Sequence, residues 1–169
     1  MKNVVFIGFM GAGKTSVGHE FASRFQMDFL DTDEYIEKKA GMSISDIFKT
    51  QGEDSFRKME TEAVCELIRE KDNCVVSVGG GLPLREENRE ILRKLGTVIY
   101  LKVSLETVAN RLKGDDTRPL LKGNNPEQKI RELLAYREPL YEMAAHYVID
   151  VNGRTPGEIA EEAAEKARL

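Results

Sequence analysis

"VVFIGFMGAGKTS", residues 4–16, passes from an unbroken apolar run into a glycine-rich turn and then into Lys-Thr-Ser. An apolar run without polar alternation suits a strand covered on both faces, as in a parallel sheet. Gly8-Phe9-Met10-Gly11-Ala12-Gly13-Lys14-Thr15 then matches G-x-x-x-x-G-K-[ST] in full. A predicted strand precedes the motif and a predicted helix follows it, which is the setting it requires. Glycines let backbone N–H groups converge on phosphate oxygens, and the helix N-terminus adds partial positive charge. Gly11, Ala12, Gly13, Lys14, Thr15 and Ser16 are the expected nucleotide-binding set. Lys14 is expected to reach the β- and γ-phosphates, with the Thr15 hydroxyl on Mg²⁺. A glycine-rich turn that binds nothing is the bland alternative, and motif and setting together argue against it.

Outward from this stretch, apolar runs recur at "DFLD" (28–31), "CVVSVG" (74–79), "TVIYLKV" (97–103) and "HYVIDV" (146–151). Helix-period segments lie between them. In 53–71, Phe56, Met59, Ala63, Val64, Leu67 and Ile68 share one helical face. This alternation implies a three-layer α/β fold with right-handed crossovers. Two segments exceed what simple crossovers need. Residues 33–71 have room for two or three helices, enough to build a substrate pocket. Residues 113–127, "KGDDTRPLLKGNNPE", are rich in Gly, Asp, Asn and Pro and have the length of a functional loop or lid.

The chain of 169 residues fits one compact domain, with no internal repeat. Its formal net charge of -4 argues against nucleic-acid binding, which usually needs a basic face. Cys65 and Cys74 are too few for a metal site and read as reduced core residues. His19 and His146 receive no role. No signal peptide and no membrane-length apolar segment stand out, so a soluble cytoplasmic protein is expected. With no long exposed apolar stripe, a monomer is expected too.

A phosphate loop implies a nucleotide and leaves the reaction open. No guanine-reading Asn-Lys-x-Asp is present, which argues against a GTPase. No strand ends in an apolar run followed by Asp-Glu, as a motor ATPase would; Ser77 stands near that place. A small-molecule kinase is the class that remains.

"FLDTDEYIEKK", 29–39, supplies two acidic candidates. Ligands of α/β sheets bind beyond the carboxyl ends of the strands. Asp31 closes the second predicted strand and is therefore expected to face the phosphate loop. If the chain stays extended, Asp31 and Asp33 point the same way. Asp31 would hold Mg²⁺ through its water shell, while Asp33 would accept a proton from an attacking hydroxyl. The competing reading is a helix cap. "FRKME" sets Arg57 and Glu60 at i and i+3, so that Glu60 can orient a guanidinium suited to a carboxylate. "GGG", 79–81, lets a ligand approach backbone amides. "TRPLL" puts Arg118 in the expected lid, and "YREPLY" puts Arg137 on the following helix.

This ordered series resembles the shikimate kinases along nearly the whole chain: the phosphate loop at 8–15, D-x-D at 31–33, F-R-x-x-E at 56–60, G-G-G at 79–81, R-P-L-L at 118–121 and Y-R-E-P-x-Y at 136–141. The resemblance implies a P-loop fold with a five-stranded parallel sheet, a substrate-binding insertion over about 33–60 and a lid over about 112–125. It implies ATP-dependent phosphorylation of the shikimate 3-hydroxyl, with Mg²⁺, on the way to chorismate and the aromatic amino acids. Asp33 would bind ring hydroxyls and act as the base or orient the nucleophile. Arg57 and Arg137 would hold the carboxylate, the glycines Gly79, Gly80 and Gly81 would border the ring with Gly80 on a hydroxyl, and Phe48 and Phe56 would line the pocket. Arg118 would stabilise charge on the transferring phosphoryl group, and Arg111 and Arg154 would flank the adenine. The rivals are a gluconate kinase of the same fold, a nucleoside monophosphate kinase, and a nucleotide-binding regulatory module without catalysis.

Overall fold

The computed structural model describes residues 2–112 and 125–168. The apolar runs form five parallel strands: β1 (Asn3–Ile7), β2 (Asp28–Asp31), β3 (Cys74–Ser77), β4 (Gly96–Lys102) and β5 (Tyr147–Asp150). Their order across the sheet is β2-β3-β1-β4-β5. β1 is central and wholly buried, as its uninterrupted apolar sequence requires. It pairs with β3 through Val4–Val75 and Phe6–Ser77, and with β4 through Val5–Val98 and Phe6–Ile99. After β3 the chain crosses to the other side of β1, so the carboxyl end of β1 sits where the strand order reverses, the usual ligand crevice of such sheets.

Helices fill the connections: α1 (Lys14–Phe25), α2 (Thr32–Ala40), α3 (Ile44–Gln51), α4 (Glu53–Glu70), α5 (Glu86–Leu95), α6 (Leu105–Arg111), α7 (Pro126–Ala144) and α8 (Pro156–Ala167). Their starts follow local chemistry. Ser43 and Ser104 accept N-terminal N–H groups of α3 and α6, and Thr155 with Glu158 forms a capping box on α8. Between β2 and β3 stand α2, α3 and α4, the helices that the long stretch after residue 33 implied. They enclose a small apolar cluster of their own, Ile36, Ile47, Phe56 and Ala63, separate from the main core on the sheet. The expected lid over about 112–125 falls, but for its first and last residues, outside the described residues, and so does Arg118.

One buried polar residue ties the sheet to its helices. Asn3 is 4% exposed. Its Nδ2 donates to the carbonyls of Lys71 and Leu95, at 3.0 and 3.1 Å, and its Oδ1 accepts the Cys74 N–H at 2.9 Å. It thereby satisfies backbone groups just after α4, at the end of α5 and at the start of β3, where no ladder partner exists. Asn3→Ala is expected to lower stability by on the order of 3 kcal/mol, because three backbone groups lose their partner. Thermal denaturation should record a fall of roughly 6–12 °C, and an unchanged midpoint would contradict this role for Asn3.

Candidate active site

The turn after β1 is shaped for an anion. Gly13 caps α1 with φ of 88° and offers no side chain to the helix N-terminus, so the first N–H groups of α1 stay open to a ligand. Gly8 lies so close to β4 that a Cβ there would stand 2.7 Å from the Leu101 carbonyl oxygen. The Lys14 ammonium folds over the loop and donates to the carbonyls of Gly8 at 2.7 Å and Phe9 at 3.1 Å.

A cavity of ≈ 250 Å³ opens above this loop, lined by Gly11, Gly13, Lys14, Thr15 and Ser16 on one side and by Asp31, Asp33, Ser77, Gly79 and Gly80 on the other. A second cavity of ≈ 260 Å³ shares Gly11, Ala12, Gly13 and Ser16 and brings in Arg111 and Arg154. Arg111 donates to the Gly11 carbonyl at 2.7 Å. Arg154 donates to the Asp150 carbonyl at 2.9 Å and pairs with Glu162 at 2.8 Å. Two residues distant in sequence thus meet beside one phosphate loop.

The two aspartates divide their work. Asp31 caps α2: its Oδ1 accepts from the N–H of Asp33 at 2.8 Å and of Glu34 at 3.2 Å. The chain therefore does not stay extended through 31–33, and the alternation argument fails there because α2 begins at Thr32. Both side chains still border the same cavity, so the cap and the cavity-facing readings of Asp31 coexist. Thr15 and Asp31 offer one hydroxyl and one carboxylate, and no group of three or more His, Cys, Asp or Glu residues is gathered among the described residues. So sparse a donor set fits Mg²⁺, which keeps several waters and shares substrate phosphates, better than a metal needing a full protein cage.

Beyond Ser77, three successive glycines each face a different functional side chain. A Cβ on Gly79 would stand 2.9 Å from Asp33 Oδ1 and 3.1 Å from Glu60 Oε2. One on Gly80 would stand 3.2 Å from Arg137 Nη1. One on Gly81 would collide with the Arg57 guanidinium. Alanine fits at none of the three without displacement. Arg57 is held from below, its Nη1 donating to Glu60 Oε1 at 2.6 Å and its Nη2 to Glu53 at 3.4 Å. Arg137 is 3% exposed, lies 5.7 Å over the Phe9 ring, and its Nε has no acceptor among the described residues.

Phe48 and Phe56 form an edge-to-face pair with centroids 5.1 Å apart in the apolar cluster of the insertion, and neither is in the described wall of the 250 Å³ cavity. Phe56 does carry the Arg57 guanidinium, 5.4 Å from its centroid. Sequence reasoning missed Thr32, fully buried, whose hydroxyl accepts the Gly79 N–H at 3.0 Å, and Tyr141, whose hydroxyl donates to the Gly80 carbonyl at 2.6 Å. Both lie within motifs read from the sequence, but only the fold brings them to the glycines.

A family model for shikimate kinase matches residues 10–168. The chain belongs to the shikimate kinase family. The shikimate kinase of Thermodesulfovibrio yellowstonii is 50% identical over 161 residues, spanning 95% of this chain and 92% of that protein. The solved shikimate kinase from Acinetobacter baumannii in complex with shikimate superposes with a TM-score of 0.92 at 41% identity, over 98% of this chain and 92% of that one. A gluconokinase from Sinorhizobium meliloti reaches a TM-score of 0.62 at 20% identity, covering 99% of this chain and 91% of that one, and so shares the fold alone. Membership in the shikimate kinases makes the chain a small-molecule kinase that uses ATP, and it sets the gluconate alternative aside.

Glu60 gives the site a measurable pH signature. Burial pushes its carboxyl up to about 7, the Arg57 charge opposes this, and the negative charge of Asp33 adds to it. Burial decides the sign, since Oε2 has no hydrogen-bond donor among the described residues. A folded pKa above the ordinary 4.5 contributes stability that is complete below about 4.5 and lost as pH rises through about 7. Urea denaturation of Glu60→Gln is therefore expected to show its stability relative to wild type improving across that window. A difference that stays constant with pH would contradict the raised value.

Proposed function

We propose that this chain transfers the γ-phosphoryl group of ATP to the 3-hydroxyl of shikimate, giving shikimate 3-phosphate and ADP. The observation that carries the reading is the meeting, beside a phosphate loop, of one carboxylate and two arginines on three adjoining glycines. A ring bearing one carboxylate and several hydroxyls needs that combination: cations for the acid, and a carboxylate with backbone amides for the alcohols. In this reading the reaction belongs to the cytoplasm and the chain acts as a monomer. Among the described residues no helix is long and apolar enough to cross a membrane.

The nucleotide's phosphates lie along residues 11–16, with the adenine side in the cavity bordered by Arg111 and Arg154. Lys14 moves its ammonium from the loop carbonyls to phosphate oxygens. Thr15 and Asp31 would hold Mg²⁺, which would neutralise phosphate charge. Arg57 and Arg137 take the substrate carboxylate, and Asp33 accepts a hydrogen bond from the 3-hydroxyl, aiming its oxygen at the γ-phosphorus in line. An alcohol is a far weaker acid than Asp33, so the proton stays on oxygen until the new P–O bond is well advanced. Asp33 then receives it, and orientation is its larger contribution. The transition state spreads charge over phosphoryl oxygens, so positioning and cations supply most of the rate. Arg118, outside the described residues, would add its charge there.

A coupled ADP-release assay offered shikimate, gluconate and nucleoside monophosphates is expected to show turnover with shikimate alone; turnover with another acceptor only would overturn the reading. Asp33→Asn should lower kcat about a hundredfold or more while leaving nucleotide binding in place. Wild-type turnover in that variant would remove Asp33 from the chemistry. Arg57→Ala should raise the KM for shikimate on the order of 30-fold or more, since an unpaired carboxylate in a cleft costs about 2–5 kcal/mol. An unchanged KM would refute the carboxylate assignment.

A further inference from the structure

Tyr141 lies one turn beyond Arg137 on α7, so the two side chains share a face. It is fully buried and packs on Tyr100 with ring centroids 5.2 Å apart. For that packing a phenylalanine would serve as well. The hydroxyl is what distinguishes tyrosine here, and it makes a hydrogen bond of 2.6 Å to the Gly80 carbonyl, across 61 residues of chain. Burial pushes the hydroxyl pKa up to about 12, against the Arg137 charge and its hydrogen bond to the hydroxyl, so at neutral pH the group stays protonated, donating to Gly80 while it accepts from Arg137.

The other polar groups of the glycine turn complete the picture. The Gly79 N–H donates to Thr32 Oγ1 at 3.0 Å. The Gly79 carbonyl accepts from the Leu82 N–H at 3.1 Å, and the Gly81 carbonyl from the Leu84 N–H at 3.2 Å. With Tyr141 on Gly80, every carbonyl of the turn is engaged. The N–H groups of Gly80 and Gly81 have no acceptor among the described residues. All described peptide bonds are trans, so a fixed carbonyl sends the next N–H to the opposite side. Three adjoining glycines would otherwise sample many backbone conformations, and no side chain of their own can restrain them.

We infer that Tyr141 is a positioning residue for substrate binding: by holding the Gly80 carbonyl it locks the glycine turn so that the unpaired N–H group of Gly80, which borders the cavity, is presented to a ring hydroxyl. The inference rests on the function proposed above and adds a residue to it. Tyr141 never touches the substrate. It acts through the backbone it restrains.

The test is steady-state kinetics of Tyr141→Phe with shikimate and with its 4-deoxy and 5-deoxy analogues, which keep the 3-hydroxyl acceptor. Loss of one neutral hydrogen bond is expected to raise the KM for shikimate about three- to tenfold, with kcat and the KM for ATP little changed. The analogue lacking the hydroxyl that the Gly80 amide reads should show no rise. An unchanged KM for shikimate, or an equal rise for shikimate and both analogues, would overturn the inference. A thermal midpoint measured alongside separates general loosening, which would lower kcat and worsen both substrates together, and that result would also overturn it. Failure of the proposed function is distinguishable, because wild-type protein would then not turn over shikimate at all.

Discussion

The absence of side chains at residues 79–81 is the constraint on which the site depends. Asp33 and Glu60 close on Gly79, Arg137 on Gly80 and Arg57 on Gly81, each at a distance that a methyl group would not tolerate without movement. These four residues come from α2, α4 and α7, and at the turn the insertion helices meet α7. The glycine turn is the surface against which they are aligned. It follows directly from β3, whose register on β1 and β2 is set by Val75, Val76 and Ser77. The buried sheet thus fixes the turn, and the turn fixes the spacing of the charges.

Most of the fold was legible because its signals are local. The uninterrupted run at β1, the glycines after it and the Lys-Thr pair are neighbours in sequence and in space, so pattern and structure coincide. The Arg57–Glu60 pair was legible for the same reason, since i and i+3 meet on any helix. Asp31 was harder. A carboxylate at the end of a strand can cap the next helix or face a ligand crevice, and one oxygen of Asp31 does the first while the residue borders the second. Extrapolating the strand period past Asp31 failed because the cap itself turns the chain.

What sequence could not show is long-range. Thr32 reaches Gly79 across 47 residues and Tyr141 reaches Gly80 across 61. Asn3 reaches Leu95 across 92. A threonine, a tyrosine and an asparagine have no periodicity that announces such partners; only the strand order brings them together. Phe56, which the resemblance put in the pocket lining, is 4% exposed within the apolar cluster of the insertion, with the Arg57 guanidinium 5.4 Å from its ring centroid.

The charges of the site are balanced unevenly, and the imbalance has a direction. Arg57 already has two carboxylates, Glu60 at 2.6 Å and Glu53 at 3.4 Å, so its desolvation is offset before any ligand arrives. Arg137 is more deeply buried, lies over the face of Phe9, and has only the neutral hydroxyl of Tyr141 as a hydrogen-bond partner among the described residues. A guanidinium in that position is costly unless an anion completes it. Glu60 does not, because its Oε1 is already engaged by Arg57 and its other oxygen faces Gly79 beside Asp33. An incoming carboxylate therefore gains most from Arg137 and least from displacing Glu60 on Arg57. On this argument the two arginines are not equivalent: Arg57 is the pre-aligned fork, and Arg137 is the buried charge whose unmet need favours an acidic substrate over a neutral polyol.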